Sequence, residues 1–289
     1  MNYEAWNRAL LERLSLYLNG HERAIDAADV REMMRLCRMS EEEAYAQLLA
    51  AMLGLEIDCC PEHRQAYERY FPLMVRRLNA EAYRADPYYA NIRIPEKKLG
   101  RWELRAQTYA PGEAFVCGDL SRLPDGRLIA PVGFFMEKFS YPCVMEDGRE
   151  WMLITPNEIE TMRPALAQAC GKVLAFGLGL GYFAYMALRE ERVQSVTVVE
   201  RDERAIRLFT EHILPQFPSA GRLRIVRADA FDYMQSVAPR EGYDFIFTDL
   251  WHDAGDGLPL YRRMKALEPL CPGARFTYWI EPTLRCYLP

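Results

Sequence analysis

Three carboxylates, Glu200, Asp229 and Asp249, each follow an apolar or β-branched run, and the three runs come one after another along the chain. Carboxylates so placed accept hydrogen bonds from hydroxyl and amino groups. Ahead of them Gly177, Gly179 and Gly181 stand at alternate positions. Glycines there strip a turn of Cβ atoms and bring bare backbone N–H groups to the start of a helix, which suits a nucleotide-like ligand. After the last acid comes Asp249-Leu250-Trp251-His252-Asp253. An imidazole titrates near neutrality and suits general-base work, so His252 reads either as a base or as a histidine of a surface loop. Trp251 reads either as a ring for stacking on a cation or as a packing residue.

The elements that must hold these groups follow from the pattern around them. Val173 to Phe176 are four apolar residues in succession, as in a parallel strand covered on both faces. Tyr182 to Leu188 then run apolar and helix-forming. Ser195 to Val199 reads as a second strand ending at Glu200, and Asp202 to Leu214 as an amphipathic helix. Leu223 to Arg227 is the third strand, with Asp229 at its exit. Tyr243 to Thr248 is the fourth, ending at Asp249. A helix over Leu258 to Leu270 and a fifth strand over Ala274 to Ile280 complete the alternation. Such alternation predicts an α/β fold with a parallel sheet, whose ligands bind outside the carboxyl ends of the strands. An acid about twenty residues after a glycine turn, at the end of the second strand, is placed to accept from a ribose diol. The dinucleotide fingerprint is G-x-G-x-x-G. Here the third glycine comes one position early and Tyr182 stands where that fingerprint wants glycine, which argues against a pyrophosphate bound in the usual way.

The run Gly177-Leu178-Gly179-Leu180-Gly181 after an apolar strand resembles motif I of the class I S-adenosylmethionine (SAM)-dependent methyltransferases. Within that superfamily the look is closest to the spermidine (polyamine) synthase-like branch. Ala175 is apolar where many methyltransferases carry an acid, as in the polyamine synthases. Val144 to Trp151 resembles the short hairpin before their cofactor domain. Thr155 to Met162 resembles the helix that follows, with Glu158 in the place of a Y-x-E-M glutamate. Val199 to Asp202 and Ala228 to Phe231 also fit, and the resemblance covers the stretch from Ala130 to Glu281.

The resemblance implies a Rossmann-like class I methyltransferase sheet that binds SAM. Gly177, Leu178, Gly179, Gly181 and Tyr182 would lie along the cofactor, Glu200 with Arg201 at its ribose, Asp229 with Ala230 at its adenine, and Asp249 at the reacting centre. Asp249, His252 and Asp253 are the catalytic candidates. Glu137, Tyr141, Glu158 and Trp251 are the substrate-binding ones. The implied activity is a methyl transfer to a small-molecule acceptor. The alternatives are aminopropyl transfer of the polyamine-synthase type and a non-catalytic nucleoside-binding module. The departures bear on that choice. Polyamine synthases carry D-x-x-D after the fourth strand, whereas Asp253 comes one residue late. Ala254-Gly255-Asp256-Gly257 replaces their gatekeeping loop, and Pro156 replaces an aromatic. Only Glu281 to Pro289 follow the fifth strand, so the C-terminal hairpin of the class is expected to be lacking. The sheet edge then needs cover from the tail, the N-terminal helices or a second copy in a homodimer.

The chain has 289 residues, half of them hydrophobic, enough for one large core and a smaller unit. The expected division is a helical N-terminal region over residues 1–90, a small antiparallel β unit over 91–154 and the SAM-binding domain over 155–289. Trp6, Leu10, Leu14 and Leu18 fall at helical spacing, and Ser40 to Glu43 form a capping box that opens a helix through Tyr45, Leu48 and Met52. A net charge of −5 without a basic cluster argues against nucleic acid and for a small-molecule partner. No stretch is apolar enough to span a membrane, and eight cysteines without a signal peptide read as reduced thiols of a cytoplasmic protein. Cys59-Cys60-Pro61-Glu62-His63 could begin a metal site, but no second Cys/His cluster follows and no metal is expected. Phe134 to Tyr141 reads as one aromatic strand, either covering the core or walling a pocket with Glu137 and Tyr141 at its mouth.

Overall fold

Val173, Leu174, Ala175 and Phe176 are all buried, and around this apolar run the parallel sheet is built. The structure is a computed structural model that describes residues 2–20 and 25–288. The five strands are Gly171–Phe176, Val193–Glu200, Leu223–Arg227, Phe245–Thr248 and Arg275–Tyr278. Their order across the sheet is third, second, first, fourth, fifth, and every neighbouring pair is parallel. The chain therefore steps outward from the first strand on one side and then returns to its other side. The reversal leaves a crevice above the first strand, where Rossmann-like sheets bind ligands.

Register decides what meets in that crevice. Phe176 lies level with Val199 on one side and with Thr248 on the other. The next residues, Gly177, Glu200 and Asp249, thus leave the sheet together. Glu200 lies level with Arg227, which sets Ala228 and Asp229 just beyond.

Several elements differ from their expected bounds. The helix expected from Leu258 begins at Ala254, because Asp253 and Asp256 form a capping box at its start. It ends at Lys265, with a separate tight turn over Glu268–Leu270. The helix expected over 202–214 keeps α geometry only over Glu203–Leu208 and widens by one residue per turn over Phe209–Ile213. The fifth strand stops at Tyr278, because Ile280 turns to φ +48° and a helix, Glu281–Cys286, follows. No strand follows it among the described residues.

The chain divides into two compact units, Met1–Tyr83 with Gln107–Ser140, and Arg84–Ala106 with Tyr141–Pro289. The stretch expected as one β unit is shared between them. The aromatic strand expected over Phe134 to Tyr141 is broken. Val132–Phe134 and Phe139–Glu146 belong to different sheets, and a bend lies between. Phe139–Glu146 forms a hairpin with Arg149–Leu153. Asp147 and Gly148 close it with φ +50° and +79°, the two left-handed residues of a type I′ turn.

In the first unit the apolar faces of the helices Tyr3–Asn19, Ala27–Cys37, Glu41–Met52 and Pro61–Met74 share one core with Val132 and Phe134. The helical region expected over residues 1–90 is interrupted by a strand, Val75–Arg77, paired in parallel with Val132–Phe134. Tyr45 stacks on Phe134 with ring centroids 3.9 Å apart. The Ser40 capping box forms, Ser40 N–H donating to Glu43 Oε2 at 2.9 Å. His63 accepts the Glu56 N–H on Nδ1 at 2.9 Å. No helix among the described residues is long and apolar enough to cross a membrane.

One polar residue in this core ties three elements. Asn7 is buried, donates to the Gly126 carbonyl at 2.9 Å, and accepts from the Tyr70 hydroxyl at 2.9 Å and the Leu128 N–H at 2.8 Å. Replacing it with alanine leaves three polar groups without this partner, the Tyr70 hydroxyl among them in a buried place. Asn7→Ala is expected to lower stability by about 2–4 kcal/mol, read as a lower urea midpoint.

Candidate functional site

A cavity of about 390 Å³ opens at the carboxyl edge of the parallel sheet, lined entirely by residues of the second unit. The glycine turn forms its floor, and the three glycines serve three different ends. A Cβ on Gly177, at φ +96°, would lie 1.9 Å from the Asp249 carbonyl oxygen. That glycine lets the first and fourth strands converge. A Cβ on Gly181, at φ +80°, would lie 2.2 Å from the Phe209 ring. Only Gly179, at φ +50°, has nothing within 4 Å of such a Cβ, and it lines the cavity. Of the three expected to let a ligand approach, Gly179 is the one with open space beside it.

Glu200 lines the cavity at the end of the second strand. Its two oxygens accept the Leu178 N–H at 3.1 Å and the Asp202 N–H at 2.8 Å. Each oxygen keeps a lone pair for a further donor. Asp229 caps the helix Ala230–Ser236, its Oδ1 accepting from the Phe231 and Asp232 N–H groups at 2.9 and 3.1 Å. Asp229, Ala230 and Phe231 line the cavity, as does Arg201, whose side chain is exposed.

Asp249 and Glu158 line the cavity as half-buried carboxylates. Glu158 sits in the first turn of the helix Pro156–Leu166, where Thr155 Oγ1 accepts its N–H at 3.4 Å. Burial pushes the Asp249 carboxyl up to about 7, with the Glu200 charge adding to the effect. Burial, then the charge of Asp249, raises Glu158 well above the usual carboxylate range. The cavity wall carries five carboxylates (Glu150, Glu158, Glu200, Asp229, Asp249) against one guanidinium, Arg201, and one imidazole, His252. Such a lining disfavours anions and favours a cation.

The remaining candidates divide. Trp251 lines the cavity but is only 5 % exposed, with its ring stacked toward Tyr278. His252 lines the rim, largely exposed, with Nδ1 3.0 Å from Asp256 Oδ2. Asp253 is absent from the cavity wall. Its carboxylate accepts the Gly255 and Asp256 N–H groups as a helix cap, which gives it a structural task. Tyr141 is buried, 3.4 Å from Glu150 through its hydroxyl, and stands behind the wall. Glu137 belongs to the first unit, in the bend that breaks the expected strand, and lines none of the cavity.

Part of the wall, and a segment that braces it, lie outside the expected site residues. Glu150 to Ile154 line one side. Arg204 fixes the hairpin that carries them, donating to Glu146 at 2.9 Å and to Asp202 at 2.6 Å, its guanidinium 4.7 Å from the Trp102 ring centre. Trp102 packs on Trp151 in turn, centroids 4.5 Å apart. The bracing segment is the short helix Pro87–Asn91, capped by Asp86, none of whose residues lines the cavity. The Tyr88 hydroxyl donates to the Leu180 carbonyl at 2.5 Å, the Tyr182 hydroxyl to Asp86 Oδ2 at 2.9 Å, and the Tyr89 hydroxyl to the Ile154 carbonyl. Asp-Pro is a helix-start signal that could have been read, with Pro at the first helical position. Its long-range partners carry no sequence mark.

No family model matches the chain, and no curated protein matches it. Solved structures do. Spermidine synthase from Thermotoga maritima is 18% identical, the match covering 43% of this chain and 48% of that one, with a TM-score of 0.31. A putative SAM-dependent methyltransferase from Streptococcus mutans is 21% identical over 44% of this chain and 36% of that one, TM-score 0.34. A conserved hypothetical protein from Streptococcus pyogenes is 17% identical over 35% and 61%, TM-score 0.28. The chain is similar to SAM-dependent methyltransferases and spermidine synthases. In each case it spans less than two thirds of the matched protein.

The raised carboxyls make a prediction that needs no ligand. A carboxyl whose pKa is higher folded than unfolded binds its proton more tightly in the fold, so stability falls as pH rises between the two values. For Asp249 that window runs from its ordinary value near 3.8 to about 7. Asp249→Asn, which cannot ionise, is expected to match the wild type at the acid end and to exceed it increasingly up to neutrality, then level off. Glu158→Gln is expected to change stability in the same direction as pH rises above the ordinary carboxylate range. Thermal melts at several pH values check the sign.

Proposed function

We propose that the chain is a SAM-dependent transferase, acting most simply as a methyltransferase on a small molecule. The observation that carries this reading is Glu200, a cavity carboxylate at the end of the second strand whose oxygens are steadied by two backbone N–H groups. That is the arrangement a ribose diol requires. The residues present fit such a ligand in two further respects. Gly179 leaves room for backbone to approach it, and Asp229 with Ala230 offers an acceptor and an apolar surface for a nucleobase.

The cosubstrate supplies a methyl group on a positively charged sulfur. The chain holds the reactants in line and disposes of a proton. Asp249, with its carboxyl held near neutrality, is better placed for that proton than the exposed His252. Glu158 beside it favours an acceptor with positive charge. Asp253, occupied as a cap, is given no catalytic part.

A second reading, aminopropyl transfer of the polyamine-synthase type, is favoured by the charge of the lining. Five carboxylates face one guanidinium, and Arg201 adjoins Glu200, at the ribose end. A cosubstrate without a carboxylate suits that wall better than one that has it. Calorimetric titration with SAM, decarboxylated SAM and methylthioadenosine separates the readings. Tighter binding of SAM supports methyl transfer, tighter binding of decarboxylated SAM supports aminopropyl transfer, and no binding of any overturns both. Glu200→Ala is expected to weaken the nucleoside probe by about 1.5–3 kcal/mol. Gly179→Val is expected to abolish binding in a protein that still folds, at a cost of about 1–2 kcal/mol for the left-handed backbone.

A further inference from the structure

Asp86, Tyr88 and Tyr89 lie within four residues of one another, and each bonds a different residue of the cavity wall. Asp86 Oδ2 accepts the Tyr182 hydroxyl, Tyr88 donates to the Leu180 carbonyl, and Tyr89 donates to the Ile154 carbonyl. Tyr182, Leu180 and Ile154 all line the cavity. One bond falls on the glycine turn at Leu180, one on Tyr182, the first residue of the helix after it, and the third on Ile154, next to the cap of the helix that carries Glu158.

The turn has need of such bracing. Gly177, Gly179 and Gly181 all take positive φ, and glycine is the residue with most conformational freedom to lose. Within the turn itself only the Gly181 N–H to Leu178 carbonyl bond closes a loop, at 2.9 Å. The short helix cannot stand alone either, since five residues are far below the length at which an isolated helix forms. The two are locked by rings, Tyr88 packing on Tyr182 and on Tyr185 with centroids 5.5 Å apart in each pair. Tyr88 is 1 % exposed, so its hydroxyl has no water to turn to and must use the Leu180 carbonyl.

We infer that Asp86 and Tyr88 are positioning residues for the ligand site: the helix Pro87–Asn91 is a strut that sets the glycine turn in its binding shape before a ligand arrives. This rests on the reading of the cavity as a nucleoside site. A preset turn spares the ligand the cost of ordering it, so the strut contributes to affinity without touching the ligand. Asp86 has two tasks with two oxygens, Oδ1 accepting the Tyr88 N–H at 2.8 Å as the cap and Oδ2 holding Tyr182. The two can be parted. Serine caps a helix about as well as aspartate but brings a single oxygen.

The test compares Asp86→Ser, Tyr182→Phe, their double variant and Tyr88→Phe. Two readouts are taken: the Kd of methylthioadenosine and of SAM by calorimetry, and amide hydrogen exchange of residues 178–183 in the ligand-free protein. Each single variant is expected to raise Kd about three- to tenfold and to speed exchange in the turn. The double variant is expected to be no worse than the poorer single, because both remove the same bond. A purely structural role would lower the melting temperature and leave the Kd of the folded protein unmoved. Unchanged Kd in the singles, or effects that multiply in the double, would overturn the inference. Should the wild type bind neither probe, the nucleoside reading fails by itself. Exchange then decides the strut alone: faster exchange of the turn supports it, and unchanged exchange refutes it.

Discussion

The fold depends on one close approach. The Asp249 carbonyl comes so near to Gly177 that no other residue type fits there, and the first and fourth strands therefore leave the sheet side by side. At that point the connections part, the chain having gone one way for the second and third strands and the other way for the fourth and fifth. The crevice, the level ends of the strands and the gathering of Glu200 and Asp249 all follow from that convergence. A wider gap would still make a sheet, but its acids would face separate regions of solvent.

Gathering carboxylates in one half-buried place has an energetic cost. Each charge removed from water is disfavoured, and each neighbour of like sign adds to the penalty. Glu200 meets that cost with two backbone N–H groups. Asp229 does so by capping a helix, where the dipole favours negative charge. Among the described residues no backbone N–H is seen donating to the carboxylate of Asp249 or Glu158, and it is these two whose carboxyls rise. Stability is thus given up at two positions facing the cavity, the pattern of a site shaped for a visitor rather than for the resting protein.

What could be read from the sequence is what local pattern encodes. Runs such as Val173 to Phe176 announce buried parallel strands, and once five of them alternate with helices the carboxyl edge and its acids follow. Asp253 stands four residues after Asp249, a spacing that suggests a carboxylate pair, and three before Asp256, the spacing of a helix cap, and the cap is what forms. Glu137 was misread because an aromatic run looked continuous, whereas its two halves pair with different partners, a fact of the sheets rather than of the run. The hairpin was legible as far as Trp151, but its role as a wall at Glu150 to Ile154, and the strut, were out of reach for one reason. Their partners lie far away along the chain, and neither hydroxyls nor carbonyls carry a mark of the group they will meet.

The strut has a consequence for the order in which the protein can be made. Asp86 and Tyr88 precede Tyr182 and Leu180 by 96 and 92 residues. A chain leaving the ribosome at about 5–20 residues per second exposes this tyrosine-rich segment for several seconds before its partners exist. The first unit is itself incomplete until Ser140 has emerged, because Gln107–Ser140 supplies part of it. Neither unit is a continuous piece of chain, so neither can finish before the segment between has been parked. The nascent protein must therefore carry Tyr88 without Leu180, and Tyr89 without Ile154, through much of its synthesis, and the glycine turn is what finally takes up Tyr88.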